Sequence, residues 1–526
     1  MIQVEVELKR IQTFLFQVPR LKAMLGANAL VGETMRVELA KLARPLTEKQ
    51  TDNFGFADYP DDPLQSTDPE LPDSPGRAYS EGILARDGGH FSALFPNEVN
   101  AKRFIEQAEA LISTRLPGVL FDIRHKEFGG ERTKPSSHRR VVEATLDLPT
   151  FQICTATGQG PAASSENTGG EKRYLSLAAK LREEAGKRFY QGETEDMIGL
   201  LRGEFGLDHG EPNDLSDIAD GGYLALIHAD GNKVGEKFSQ WRQRQETGLS
   251  ALQREARGER FFHSLRVAVR QAAVEAVQTT FSQHTGSKGQ RLYQPLMLGG
   301  DDLVMVCRAD LALTFCKRLA QAIDKHKLVD GSPLTLGIGV AIAKDGYPFY
   351  RLHELAEELA GSAKRRTRAA SSTDETSVID WQVVTQSSFH DLDATRRRAD
   401  LIEYQAKGQR KTLILNQRPY RILAGDDQSG NSLETLLDAA KYLVDKGVAR
   451  SALRGLRAEF EKGKLHGELA FANLLDSNKE VIEKATHGRL CAEKPWQEIE
   501  PHTFATPLFD LIELTELEHL GKRKSQ

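Results

Sequence analysis

The chain has 526 residues and a mass of 58.4 kDa, long enough for about three to four domains and more than one buried core. Hydrophobic residues at 39% and charged residues at 28% exclude a wholly disordered chain. A net charge of -5 excludes a generally basic, DNA-coating protein, so any nucleic-acid contact must use local patches or a preorganised groove. Cys154, Cys307, Cys316 and Cys491 contain no C-x-x-C pair, which suits a reducing cytosol and argues against a disulfide framework or an all-cysteine zinc ribbon. The first residues, MIQVEVELKR, lack a signal-like apolar core, and no apolar run reaches the ~18 residues of a membrane helix. The composition therefore predicts a cytoplasmic, multidomain protein without a membrane anchor.

In chain order, IQVEVEL predicts a strand and residues 11–42 a helical stretch. Residues 51–76, with five prolines among acidic residues, read as an acidic surface loop. GILARDGGHFSALF (82–95) reads as two strands meeting at Gly88-Gly89, NEVNAKRFIEQAEALI as a helix, and VLFDIR (119–124) as a strand. Residues 155–171 read as a loop and the stretch after them as helical. YLALIHA (223–229) is an apolar strand, and residues 262–281 a helix. RLYQPLML (291–298) and LVMVC (303–307) are two strands joined at Gly299-Gly300. LALTFCKRLAQAI is an amphipathic helix. LTLGIGVAIA (334–343) sets large Leu336, Ile338, Val340 and Ile342 against small Thr335, Gly337, Gly339 and Ala341, a strand with one small-residue face. A helix ending near Lys364 and a strand at 378–384 follow. RRRADLIEYQAKGQRK (396–411) reads as a solvated basic helix face, and the chain past residue 431 as helical, opened by a capping box of Asn431 and Glu434.

The predicted fold class is α+β, with two ferredoxin-like βαββαβ domains. They occupy residues 1–150 and 221–385, with a loop and small helical linker domain at 151–220 and an all-α domain at 386–526. The units read as an internal duplication, in which Asp87-Gly88-Gly89-His90 takes the place of Gly299-Gly300-Asp301-Asp302.

The chemistry concentrates in LMLGGDDLVMV and HADGNKVGEKF. Glycines 299 and 300 suit a tight hairpin close to a substrate. Two carboxylates follow, and acids flanked by apolar strands are costly unless they are paired or bind metal. A βαββαβ sheet brings the end of the first strand, and with it Asp230, beside that hairpin. Asp230, Asp301 and Asp302 then form a hard oxygen-donor site suited to two Mg²⁺ (or Mn²⁺) ions, with Asp230 and Asp301 ranked first as ligands. Such a pair activates an attacking 3′-hydroxyl and stabilises a leaving pyrophosphate. The turn amides of Gly231, Asn232, Val234 and Gly235 are candidates to cradle a triphosphate. Lys364 is a candidate for positive charge at its β- or γ-phosphate, the plainer alternative being a solvated helix end. The plainer reading of the hairpin is that its aspartates are solvated at the tip.

ADGNKVG, the GGDD hairpin, ELAGSAKR and SVIDWQVV together resemble the large palm-polymerase subunit of type III CRISPR effector complexes. RIQTFLFQVPRLKAMLGANALVGE resembles that family's first palm. The resemblance implies that ATP is polymerised through 3′–5′ linkages to cyclic oligoadenylate at a two-metal site. It also implies partner subunits carrying a guide RNA, and activation by target RNA. Two departures accompany it. The chain starts directly at the first palm, without the HD nuclease domain many relatives carry, and His390-Asp391 reads as a chance dipeptide. Cys154 has no nearby cysteine partner, so no zinc is expected. The first palm is degenerate, since Gly88-Gly89 precedes His90 and Phe91 rather than two acids. The alternatives are a diguanylate-cyclase-like palm enzyme, against which Leu303 stands where that family has Phe, and a non-catalytic RNA-binding scaffold. A stand-alone chain would allow a homo-oligomer.

Overall fold

The structure is a computed structural model and describes all residues except 52–74, 132–133, 140–151, 159, 169, 244–247, 370–374, 385–391, 407, 426–431, 488–494 and 526. Most of the acidic loop, His390-Asp391, Cys491 and Asn431 therefore lie outside the described residues.

The first unit is built on β1 (Ile2–Lys9), β2 (Ile83–Asp87), β3 (His90–Phe95), β4 (Leu120–Glu127) and β5 (Ser137–Arg139), in the order β2-β3-β1-β4-β5. Central β1 pairs antiparallel with both β3 and β4. Its alternation decides its orientation: Val4, Val6 and Leu8 are buried, while Glu5 and Glu7 face the other way. The Glu98–Arg115 helix is capped by the Asn97 side chain, which accepts from the Asn100 amide, and it buries Ala101, Phe104, Ile105, Ala108 and Ile112 along one stripe. Phe104 stacks between Phe91 and Phe95 of β3.

The stretch at 155–171 is not wholly a loop. It contributes a hairpin of β6 (Ser164–Thr168) and β7 (Glu171–Leu175). The Leu177–Tyr190 helix then lies against the Leu21–Glu33 helix at unusually close range. A Cβ on Gly26 would fall 1.8 Å from the Arg182 carbonyl oxygen, and one on Gly186 would fall 2.1 Å from that of Lys22. Only glycine on both sides lets the two backbones touch.

The second unit has β8 (Tyr223–Gly231), β9 (Tyr293–Gly299), β10 (Asp302–Arg308), β11 (Leu336–Lys344) and β12 (Val378–Val383), in the order β12-β11-β8-β10-β9. The βαββαβ expectation holds here, with β8 central and flanked by antiparallel β10 and β11. Between β8 and β9 run two helices, Val234–Gln243 and Ala251–Phe281, the second opened by a capping box of Ser250 and Gln253. The Phe349–Ala369 helix packs on the small-residue face of β11, where a Cβ on Gly339 would fall 2.0 Å from the Ala356 carbonyl oxygen. The pattern of glycines in the sequence is therefore a helix-docking groove.

The C-terminal expectation of an all-α domain is corrected. After the Leu392–Ala399 helix come β13 (Leu401–Ala406), β14 (Gln409–Ile414) and β15 (Tyr420–Arg421), and later β16 (Gln497–Glu500) and β17 (Thr503–Ala505). They form a sheet of order β13-β14-β17-β16, while β15 extends the second palm's sheet beyond β12. The basic segment 396–411 is thus half helix and half hairpin. Ile402 and Tyr404 alternate with Glu403 and Gln405, and Gly408 takes φ 75° at its bend. Helix Leu433–Asp445 is capped by Ser432, whose hydroxyl accepts from the Thr435 amide while Thr435 answers its backbone. Helix Leu508–Ser525 returns to the second palm. There Arg418, fully enclosed over the Trp381 ring, pairs with Asp510 at 2.9 Å and Glu513 at 3.0 Å, and Arg396 pairs with Asp380 at 2.7 Å. One apolar cluster runs through both palms and into the C-terminal helices. Among the described residues, no helix is long and apolar enough to cross a membrane.

Candidate active site

The β9–β10 hairpin pairs Gly299 with Asp302, so its turn is Gly300-Asp301. Gly300 takes φ 61°, which a side chain would strain, whereas Gly299 lies within the strand. The sequence reading had both glycines in the turn. Leu303 faces Ala229 across β8, and one step further along that register Asp302 faces Asp230. Asp301, at the turn, leans over the end of β8. A Cβ on Gly231 would fall 2.9 Å from the Asp301 carboxylate and 2.6 Å from Val234, so Gly231 is what lets that acid approach. The outcome is a triad in which one carboxylate oxygen from each of Asp230, Asp301 and Asp302 lies within 4.8 Å of the others. Among the described residues, it is the one group of three or more His, Cys, Asp or Glu side chains close enough to share an ion.

The electrostatics are those of crowded, poorly solvated anions. Burial, then the charge of Asp230, pushes Asp301 up to about 6. The same burial, then Asp230 and Asp301, pushes Asp302 up to about 8. Against them stands Lys364, whose ammonium forms an ion pair with Asp230. Its stem crosses β11 at Gly337, where a Cβ would fall 2.6 Å from Lys364 Cγ.

Beside it, the turn after β8 is fixed from below. The Asn232 amide donates to the Thr335 carbonyl at 2.8 Å and its side chain to the Thr335 hydroxyl at 3.2 Å. Lys233 takes φ 55° and launches the Val234–Gln243 helix, whose first residues line the same cavity as Asp230 and Asp301. A helix start of this kind favours an anion. Lys237 takes no part, because it is held by the Pro333 carbonyl and by Glu375 at 2.7 Å.

Two cavities meet at the hairpin. The smaller, about 280 Å³, is lined by Asp230, Gly231, Asn232, Val234, Gly235, Asp301 and Lys364 among others. The larger, about 1030 Å³, lies between the palms. Asp302, Gly299, Met297 and His353 face it from the second palm, and Lys9, Arg10, Gly88 and Gly89 from the first. Of the residues singled out in the sequence, Gly299 thus belongs to the larger cavity and Gly300 shapes the turn. Thr367 and Arg368 also line the smaller cavity, although the sequence favours an exposed helix end for KRRTR (364–368) beyond Lys364 over a phosphate contact. Sequence reasoning did not see that Gly231 and Gly337 make room for Asp301 and Lys364. The small-residue alternation of β11 was the available signal.

The first unit repeats the frame with different residues. Glu7 faces His90 as Asp230 faces Asp302, and Arg10 takes φ 51° where Lys233 takes 55°. That register places Leu8 at the position of Gly231 and Gly89 at that of Asp301. The small residue has changed sides, and a Cβ on Gly89 would fall 2.0 Å from Ile11. Arg124 binds Glu7 at 3.1 Å and Asp122 at 2.6 Å, so the acids kept there have a fixed cation.

Residues 223–372 match the family model for the second palm domain of Cas10/Cmr2. This segment is a Cas10-like palm, as the ADGN and GGDD motifs implied. Comparison with curated proteins found no match. Among solved structures, the chain is similar to a Csm1–Csm4 cassette in complex with cA4, at 13% identity and TM-score 0.47, over 98% of this chain and 69% of the other. It is also similar to the cassette in complex with pppApApA, at 12% identity and TM-score 0.46 over the same shares.

Proposed function

We propose that this chain, whose residues 223–372 form a Cas10-like second palm, is a nucleotidyltransferase. It converts ATP to cyclic oligoadenylate by 3′–5′ phosphoryl transfer, in an antiviral defence of the CRISPR type III kind. The observation that carries the reading is the convergence of three carboxylates and Lys364 at a helix start, on the edge of a cleft large enough for nucleotides.

Asp230, Asp301 and Asp302 would hold two Mg²⁺ or Mn²⁺ ions. Their all-oxygen donor set fits hard cations, and at Asp301 and Asp302 burial, then the neighbouring carboxylates, raises proton affinity, as poorly solvated and crowded acids do. When bound, such ions activate the attacking 3′-hydroxyl and neutralise charge on the leaving pyrophosphate. The chain's own residues do the rest. The amides of Gly231, Val234 and Gly235, with Lys364, orient the triphosphate in the smaller cavity, whereas the Asn232 amide, already given to the Thr335 carbonyl, fixes the turn instead. Asp302, open to the larger cleft, lies on the side from which an acceptor ribose reaches the α-phosphate. The first palm closes that cleft with Lys9, Arg10 and the Gly88-Gly89 turn and supplies no ligand. Guide-RNA-bearing partner subunits and target RNA are the proposed context.

The test is to purify the native assembly, sequence any bound RNA, and analyse by mass spectrometry the products formed from ATP with Mg²⁺. Cyclic oligoadenylate is expected. Turnover of GTP alone would favour a diguanylate-cyclase-like enzyme, and no pyrophosphate release with any trigger RNA would favour a scaffold.

A further inference from the structure

We infer that Lys364 is the resident counter-cation of the carboxylate triad, and that a divalent ion enters by displacing its ammonium from Asp230 toward the phosphates. The inference rests on the metal-site reading above and deepens it, because it makes metal and nucleotide loading exchange one cation for another.

Four observations lead there. First, Lys364 is ion-paired with Asp230, so in this state a triad ligand is already engaged by a cation of the chain itself. Second, that pairing is incomplete. Three carboxylates within 4.8 Å face one ammonium, leaving two formal charges unbalanced when all are ionised. A dication satisfies the cluster better than a single ammonium does.

Third, the lysine has a path to move along. Its stem lies over Gly337, and at that crossing a Cβ would also fall 3.1 Å from Asn232 Oδ1, a buried acceptor without a hydrogen-bond partner. A released ammonium therefore passes an acceptor on its way to the helix start that lines the same cavity. The backbone need not follow, because two residues on the Arg366 guanidinium donates to the Pro419 carbonyl and holds the helix in place.

Fourth, the first palm presents the opposite solution. Arg124 grips both Glu7 and Asp122, and Lys9 pairs with Glu7 as well. A bidentate guanidinium flanked by a second cation is a permanent neutralisation. A single flexible lysine, 21% exposed and holding one carboxylate, is a replaceable one.

The test titrates Mn²⁺ alone into the full chain by calorimetry, without nucleotide. Lys364→Met should bind Mn²⁺ about three- to tenfold more tightly than the unmodified protein, because the competing charge is gone. Lys364→Arg, which keeps the charge, should stay near the unmodified affinity. With Mn²⁺ saturating, the affinity of Lys364→Met for ATP should fall, since the transferred cation is missing. Lys364→Gln substitutes for Lys364→Met if circular dichroism finds the latter misfolded. A Mn²⁺ affinity of Lys364→Met no higher than that of the unmodified chain overturns the inference while leaving the metal site standing. Mn²⁺ binding undiminished in Asp301→Ala overturns the metal-site reading itself, and this inference with it.

Discussion

The two βαββαβ units share a sheet order, a central strand followed within two residues by a left-handed basic residue, and a tight glycine hairpin facing that end. They differ in where the space is left. In the second palm the glycine sits on the central strand, at Gly231, and the hairpin carries the acid, Asp301. In the first the hairpin carries the glycine, Gly89, and the central strand carries Leu8. Charge follows the same division. Crowded acids with raised proton affinity occupy one palm, and acids clamped by Arg124 the other. The approach of the acids to one another is therefore set by a room-making residue as much as by the acids themselves.

The largest expected effect separates the palms outright. Asp301→Ala should lower pyrophosphate release by about 10²–10³-fold or more, the usual scale for lost transition-state charge stabilisation. Its melting temperature should stay unchanged or rise, since a carboxylate repelled by its neighbours is removed. Near-normal turnover would place the catalytic centre elsewhere.

Paired glycine substitutions sharpen the contrast. Gly231→Ala drives a Cβ into Asp301 and Val234, and a displaced ligand should cost about 10- to 100-fold in turnover. Gly89→Ala places a Cβ against Ile11 at φ 76° and should cost about 1–3 kcal/mol of stability, read by denaturant unfolding. The turnover of its folded fraction should be preserved. If both variants lose activity equally at equal stability, the first palm contributes to the chemistry.

The pH dependence of stability offers a third test, in chelator-treated buffer. Asp302 is raised from 3.8 to about 8, so between those values the folded chain holds a proton that the unfolded chain releases. Stability is therefore lost as pH climbs through this window, and the loss is complete above about 8. Asp302→Asn removes that slope. Its melting temperature relative to the unmodified chain should be level near pH 4 and progressively higher toward pH 8. A gap that narrows with rising pH would contradict the assignment. The smallest effect belongs to His90→Ala, at the position equivalent to Asp302. It should change stability by no more than about 0.5 kcal/mol, as exposed positions usually do. Steady-state pyrophosphate release should show most turnover intact.

Much of this was legible in the sequence because strand periodicity and adjacent acids are local signals. YLALIHA, RLYQPLML and LVMVC lie within two residues of β8, β9 and β10, and the βαββαβ topology then places Asp230 at the hairpin. The turn register was not legible, since two adjacent glycines suit a turn in either frame and only cross-strand pairing selects Gly300-Asp301. The purpose of Gly231 and Gly337 was hidden for a related reason: what a glycine makes room for lies about 70 or more residues away in some cases, and no short window contains it. The sheet of β13, β14, β16 and β17 was missed because its strands are short and charged, and because β14 pairs with a strand near the far end of the chain. There the alternation of Ile402 and Tyr404 around Gly408 was a hairpin signal outweighed by the arginines before it.

The exchange of glycine between the two palms also bears on mutational history. Building an equivalent acidic triad in the first unit would require acids at positions 89 and 90 and a small residue at position 8, with relief at Ile11 as well. An acid at 89 alone meets Ile11, and a glycine at 8 alone removes a buried leucine from the core without gaining a ligand. Each single step is a loss on this backbone, and only the combination has anything to offer selection. On this backbone the two glycine placements are therefore separated by several coupled substitutions rather than one.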